Sequence, residues 1–198
     1  MSFVSVAVTK DFISVMSDGR VNNEGEILQE DYNKIRELGN GSAFITITGN
    51  RDLGDRAIKV MEQHYNEEIP LTGLAIGLQT VLTRDIPYPD NPLLNMAIGG
   101  LSEGRLEVFT LSNRYTATNE VVRYSPENED IDFIKFESPE LNGQHNLTEK
   151  FKGFLSNTNP SIPLKTRVKQ AQRRLNNFVA NNDNSVNTRT FHLLIKNS

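Results

Sequence analysis

Ser2-Phe3-Val4-Ser5-Val6-Ala7-Val8 opens the chain as an alternating stretch, and a tight break at Lys10-Asp11 leads into a second β-rich run, Phe12 to Met16. That run closes on Ser17-Asp18-Gly19-Arg20-Val21, and Lys34 follows a turn-rich stretch from Asn22 to Asp31. Removal of Met1 makes Ser2 the N-terminal residue. A small nucleophile at a chain terminus matters because its own amine can serve as the general base.

Working outward, Phe44-Ile45-Thr46-Ile47-Thr48 is a β-branched run typical of a buried strand. Gly49 ends it, and Asn50 is placed to cap a helix from Arg51 to about Asn66, with Leu53, Ala57, Val60, Met61 and His64 on one stripe. A second helix is marked by Leu71, Leu74, Ala75, Leu78, Val81 and Leu82 and is stopped by Pro87. Strands return at Leu94 to Leu101 and Arg105 to Leu111, joined by the hairpin signal Ser102-Glu103-Gly104. Shorter strands are predicted at Val121 to Tyr124 and Asp132 to Phe136. Helices follow at Leu147 to Leu155 and Leu164 to Ala180, the latter with Leu164, Val168, Ala171, Leu175, Phe178 and Val179 on one face. Thr190 to Lys196 closes the chain as a strand.

Helices grouped in pairs between blocks of strands argue for antiparallel sheets, not repeated βαβ units. The expected class is α+β: a four-layer α/β/β/α sandwich of two antiparallel sheets flanked by helix pairs, formed by residues 1–198 as a single domain. At 198 residues the chain is long enough to close a sizeable core without staples.

Composition narrows the chemistry. There is no cysteine, which excludes disulfides, thiol nucleophiles and thiolate metal sites. A net charge of −4 gives no global pull toward nucleic acid or anionic membrane. Neither a signal peptide nor a membrane span is read, so a cytoplasmic protein is expected. His64, His145 and His192 are scattered without metal-ligand spacing, so no metal or other cofactor is expected, and His64 reads as a core residue of its helix. Gly49 to Gly54 lacks the ending of a phosphate-binding loop. Lys165, Arg167, Lys169, Arg173 and Arg174 read as a solvated helix face or subunit contact.

The opening motif and the element order together resemble the proteasome β-subunit family and its bacterial ring-peptidase relatives, which are N-terminal-nucleophile (Ntn) hydrolases. Members begin with a nucleophile in a strand of the form T-T-x-x-A/S-V. A second strand ends in D-S/G-R/Q, and a K-[KIV] pair follows about sixteen residues later. Ser2 matches the nucleophile, Asp18-Gly19-Arg20 the second motif and Lys34-Ile35 the third, with no gap from Ser2 to Lys34. The strand Phe44 to Thr48 with Gly49 looks like the family's strand and oxyanion-hole glycine, allowing one extra residue in the preceding loop. In that register Ile47 looks like a pocket-lining position.

Departures accompany the match. Serine stands where the proteasomal family has threonine, and Asn22 where it usually has a threonine beside the substrate backbone. The loop Leu141-Asn142-Gly143-Gln144-His145-Asn146 has no clear equivalent of the family's glycine- and serine-rich loop. Asp183-Asn184-Ser185 faintly resembles the supporting aspartate and serine; Ser185 is the better match, and the register puts Asn182 at the acidic position.

The resemblance implies cleavage of peptide or other amide bonds through Ser2, with Lys34 lowering the pKa of the Ser2 amine and Asp18 holding Lys34. Gly49 would donate to the oxyanion, while Arg20 and Ser185 would support the site and Ile47 and Asn22 would contact substrate. It also implies a homo-oligomer, a dimer or ring, with any ATPase partner unspecified. Two alternatives stay open: a catalytically inactive assembly subunit and a small-molecule amidase, both of the same fold.

Overall fold

The computed structural model describes residues 2–23, 25–114, 121–137, 141 and 144–197. In chain order the strands β1 (Val4–Val8), β2 (Phe12–Asp18), β3 (Val21–Asn23), β4 (Glu26–Gln29), β5 (Ile35–Leu38) and β6 (Ala43–Gly49) precede two helices, α1 (Arg51–His64) and α2 (Leu71–Asp85). Strands β7 (Leu94–Ser102), β8 (Arg105–Ser112), β9 (Val122–Tyr124) and β10 (Asp132–Phe136) come next. Helices α3 (Leu147–Ser156) and α4 (Leu164–Ala180) and strand β11 (Thr190–Lys196) complete the order. Two compact units are distinguished. One comprises Ser14–Ile35 and Phe133–Leu194 with the opening residues through Ala7; the other comprises Arg36–Asp132 with Val8–Ile13 and the end of the chain from Ile195.

The first unit is built on a sheet of order β10-β1-β2-β11. Every residue of β1 and β2 is buried, including Ser5, Ser14, Ser17 and Asp18, so the polar positions of the alternating pattern are covered as well as the apolar ones. Helix α3 is anchored by Leu147 and Phe151, and the Phe151 ring stacks on Phe133 of β10 at 4.0 Å between centroids. Burying one such ring stabilises the fold by about 1.5–3 kcal/mol. Between the helices, Lys150 of α3 lies 4.1 Å over the Phe178 ring of α4.

Helix α4 buries Val168, Ala171, Leu175 and Val179, and with them two amides, Gln172 and Asn176. Gln172 Nε2 donates to Ser5 O (3.1 Å), Ser5 Oγ (3.2 Å) and Ser14 O (3.0 Å), while its Oε1 accepts Ser14 Oγ at 2.6 Å. One side chain thereby ties α4 to both β1 and β2. Asn176 donates to Asn187 O at 2.8 Å. Apolar periodicity finds the stripe on α4 but not these polar members.

The second unit is a sheet of order β5-β6-β7-β8-β9, with antiparallel pairing of β6 to β7, β7 to β8 and β8 to β9. Helix α1 contacts β6, and α2 contacts β7 and β8. The Asn50 side chain accepts Leu53 N–H at 3.0 Å, the cap expected from sequence. The buried face of α1 is Gly54, Ile58 and Met61; Val60 and His64 are exposed, so the stripe read from sequence is rotated and His64 is not a core residue. The cause is close approach: a Cβ on Gly54 would stand 2.2 Å from Ile47 Cδ1 of β6. On α2, Val81 is exposed and Gln79 is buried, exchanging two hydrogen bonds with the Ser112 backbone at 2.9 and 3.1 Å.

Residues 22–31, read as turns, contain an antiparallel ribbon in which Asn22 faces Ile27 across β3 and β4. Strand β5 was likewise not anticipated. No helix among the described residues is long and apolar enough to cross a membrane.

Candidate active site

Asp18 ends β2, and its backbone N–H donates to Phe3 O at 3.1 Å, which draws the start of the chain alongside it. Its carboxylate returns the bond: Oδ1 accepts Phe3 N–H at 2.8 Å, and Oδ2 accepts Arg20 N–H at 2.8 Å. Ser2 is the residue immediately before Phe3 and is buried. The spacing Ser2–Asp18 thus becomes a spatial adjacency through a shared backbone pair.

Lys34 completes the cluster. Its Nζ donates to Asp18 Oδ1 at 2.8 Å, Asp18 O at 2.9 Å and Arg20 O at 2.9 Å. Lys34 is 2% exposed and Asp18 fully buried. Burial pushes the Lys34 ammonium below the ordinary lysine pKa, and the Asp18 carboxylate pulls it back up. A buried, paired cation disfavours the protonated form of any amine placed beside it.

Gly19 separates the two carbonyls that cradle Lys34. A Cβ there would lie 2.8 Å from Glu30 O and 3.2 Å from the Phe191 ring, so the motif position tolerates only glycine without displacement. Its N–H donates to Asn187 Oδ1 at 3.0 Å and its carbonyl accepts Tyr32 N–H at 2.9 Å.

The Arg20 side chain points away from Lys34. It forms a two-pronged pair with Glu30, Nε to Oε2 at 3.2 Å and Nη2 to Oε1 at 2.9 Å, and Nη1 donates to Asn184 O at 2.6 Å. Arg20 first, and Asn187 second, hold the Glu30 carboxyl below its ordinary pKa. Ser185 follows in the same loop after α4: its N–H donates to Asp183 Oδ1 at 2.7 Å, and its buried Oγ has no hydrogen-bond partner among the described residues. Asp183 is buried and Asn182 exposed, so the acid of this loop is one residue beyond the register expected. Asn22 lies on β3, half-buried.

In the second unit, Gly49 ends β6 with φ +103°, a conformation that favours glycine, and a Cβ would sit 2.1 Å from Leu93 O. Ile47 is buried, with its side chain against Gly54 of α1. Within the first unit the structure therefore gathers Asp18, Lys34 and the Arg20 backbone beside the Phe3 amide that follows Ser2, with the Asn184 carbonyl reached by the Arg20 side chain. Met1, Asn142 and Gly143 lie outside the described residues.

Sequence reasoning missed Glu30 and Asn187. Asn176 on the buried face of α4 was a legible signal for a polar partner there; Asn187 itself carried none.

Two sheets, each with its own helix pair, give the chain a mixed α and β fold shared with solved structures of the proteasome-β type. The chain matches eukaryotic HslV from Trypanosoma brucei with a TM-score of 0.62 at 13% identity, covering 98% of this chain and 99% of that one. It also matches Anbu (ancestral beta-subunit) from Yersinia bercovieri with a TM-score of 0.69 at 12% identity, covering 98% of this chain and 81% of the other. No protein-family model and no curated protein matches the chain.

Proposed function

We propose that this protein is a proteasome-like Ntn hydrolase that cleaves peptide or other amide bonds through Ser2 once Met1 is removed. The observation that carries the reading is the Asp18 carboxylate, whose Oδ1 accepts both the Phe3 N–H beside Ser2 and the Lys34 ammonium, each at 2.8 Å. In this reading the free amine of Ser2, with an ordinary pKa of about 7.7–8.0, takes the hydroxyl proton while Oγ attacks the amide carbonyl. Lys34, held positive by Asp18, disfavours the ammonium form of that amine. The tetrahedral intermediate collapses with cleavage of the C–N bond, the leaving amine taking the proton held by the Ser2 amine, and water then hydrolyses the resulting Ser2 ester to a carboxylic acid and the free hydroxyl.

Gly49 is assigned the oxyanion donor, worth about 2.7–4 kcal/mol of barrier where such donors have been removed. Ile47 and Asn22 are assigned substrate contacts, and Ser185 a supporting role. The working form is a homo-oligomer in the cytoplasm, with residues 1–198 acting as a single domain; an ATPase partner is left unassigned.

Intact mass measures whether Met1 is lost, and a β-lactone probe measures whether Ser2 is then nucleophilic. Stoichiometric labelling abolished by Ser2→Ala supports the hydrolase. Retention of Met1 in protein from its native host, with no labelling, replaces it with an assembly subunit. Labelling without hydrolysis of any peptide points to a small-molecule amidase.

A further inference from the structure

We infer that Asn187 and Glu30 are positioning residues that clamp the backbone cradle of Lys34 through the Gly19–Arg20 turn. The inference rests on the hydrolase reading for its catalytic meaning, but its geometry stands independently.

Lys34 Nζ donates to two backbone carbonyls, Asp18 O and Arg20 O, as well as to the Asp18 carboxylate. Carbonyls on either side of a glycine converge on one ammonium only while the turn keeps its shape, and glycine supplies no side chain to hold it. Asp18 Oδ2 spans the turn by accepting Arg20 N–H at 2.8 Å, Tyr32 N–H holds the Gly19 carbonyl at 2.9 Å, and a further restraint comes from the loop after α4. Asn187 Oδ1 accepts the N–H of Gly19 at 3.0 Å, in the centre of the turn. Because that oxygen must accept, Nδ2 faces Glu30, where it donates to the backbone carbonyl at 2.9 Å and to the carboxylate. The same carboxylate takes both prongs of Arg20, and Asn176 of α4 fixes Asn187 through its carbonyl at 2.8 Å.

The turn is therefore gripped at its middle by Asn187 and at its exit by Arg20, with Glu30 joining the two grips. Asn187 is 9% exposed, whereas the Glu30 side chain is 49% exposed. An exposed carboxylate holding a guanidinium in two-pronged geometry gains specificity of direction more than stability. Its place beside the cradle gives that direction a use.

The test is Asn187→Asp in the full chain. The substitution keeps the oxygen that accepts Gly19 N–H but sets a second carboxylate against Glu30, opening the clamp at about pH 8. At about pH 5 the two carboxyls share a proton and the bond re-forms, a recovery that a merely damaged fold does not show. The readout is proton exchange at the isotope-labelled side-chain nitrogen of Lys34, assigned by its loss in Lys34→Met, together with the β-lactone labelling rate.

At pH 8, exchange should rise about tenfold, the equivalent of one charge-assisted hydrogen bond. Labelling should fall by about 10- to 100-fold, as for a mispositioned catalytic group. Both ratios to the parent protein should shrink toward pH 5. Glu30→Ala, at a half-exposed position, should reproduce the pH 8 effects without the recovery, and it decides the question if Asn187→Asp does not fold. Exchange equal to the parent's in a folded variant at both pH values overturns the clamp. If the parent itself is never labelled, the hydrolase reading fails, and Lys34 exchange still judges the clamp.

Discussion

Asp18 Oδ1 accepts the Lys34 ammonium and the Phe3 backbone N–H at the same distance, 2.8 Å, so one buried oxygen couples a lysine to the first strand of the chain. A carboxylate so placed is at once a counter-charge and a backbone anchor. Its removal leaves an ammonium buried without its pair and the Phe3 and Arg20 amides without their acceptor.

Asp18→Ala should accordingly destabilise the protein by about 3–5 kcal/mol, the range for breaking a buried ion pair from one side. Adding Lys34→Met should recover part of that loss, because the orphaned charge goes with it. Urea midpoints of the two variants against the parent decide this; a single variant within about 0.5 kcal/mol of the parent would sink it.

Gly49→Ala should lose about 3 kcal/mol or more irrespective of any catalysis. Backbone strain at positive φ accounts for about 1–3 kcal/mol, and the Leu93 carbonyl contact adds to it. The melting temperature of the variant, measured beside Gly41→Ala, separates the two causes. Gly41 has φ +88° but has only the end of the Glu37 side chain nearby, so the smaller loss is expected there.

Gln172→Leu should cost about 1–3 kcal/mol for each buried group it strands. The Ser14 hydroxyl loses its acceptor, and Ser5 O, Ser5 Oγ and Ser14 O lose their shared donor. Denaturant unfolding gives the number; an unchanged midpoint would mean water replaces the amide.

His192 links stability to pH. Ser14 Oγ gives its proton to Gln172 Oε1, so at 3.0 Å from His192 Nε2 it accepts, and the ring carries its proton on Nε2. Burial first, and the charge of Lys169 second, lower the His192 pKa from 6.5 to about 4. Between those values the unfolded chain binds the proton and the folded chain does not. The contribution is therefore whole above pH 6.5 and is lost as pH falls toward 4. His192→Asn should flatten the urea midpoint across that window, and a parallel slope in the variant would assign the acid sensitivity elsewhere.

Much of the architecture is local and so was readable before any coordinates. The alternation of Ser2 to Val8, the β-branched run Phe44 to Thr48 and the stripe Val168–Ala171–Leu175–Val179 each carry their own period, and each forms the element that period predicts. The Asp18–Lys34 pair was legible because its two members lie 16 residues apart and were read against a spacing motif. Where the reading slipped, the deciding contact was distant. Helix α1 turned its face because Gly54 meets Ile47, and no window within the helix records that neighbour.

From residue order alone came the succession of strands and helices, because periodicity is local; the pairing of Asp18 with Lys34 was expected from the motif resemblance, and the hydrogen bond between them bears that pairing out. Partner choice across long separations came only with the folded chain: Asn187 reaching Glu30 across 157 residues, and Gln172 reaching Ser5 across 167. A buried amide must find a donor or acceptor, but which one it finds depends on where the sheet and helix bring the backbone, and that is a property of the packed whole.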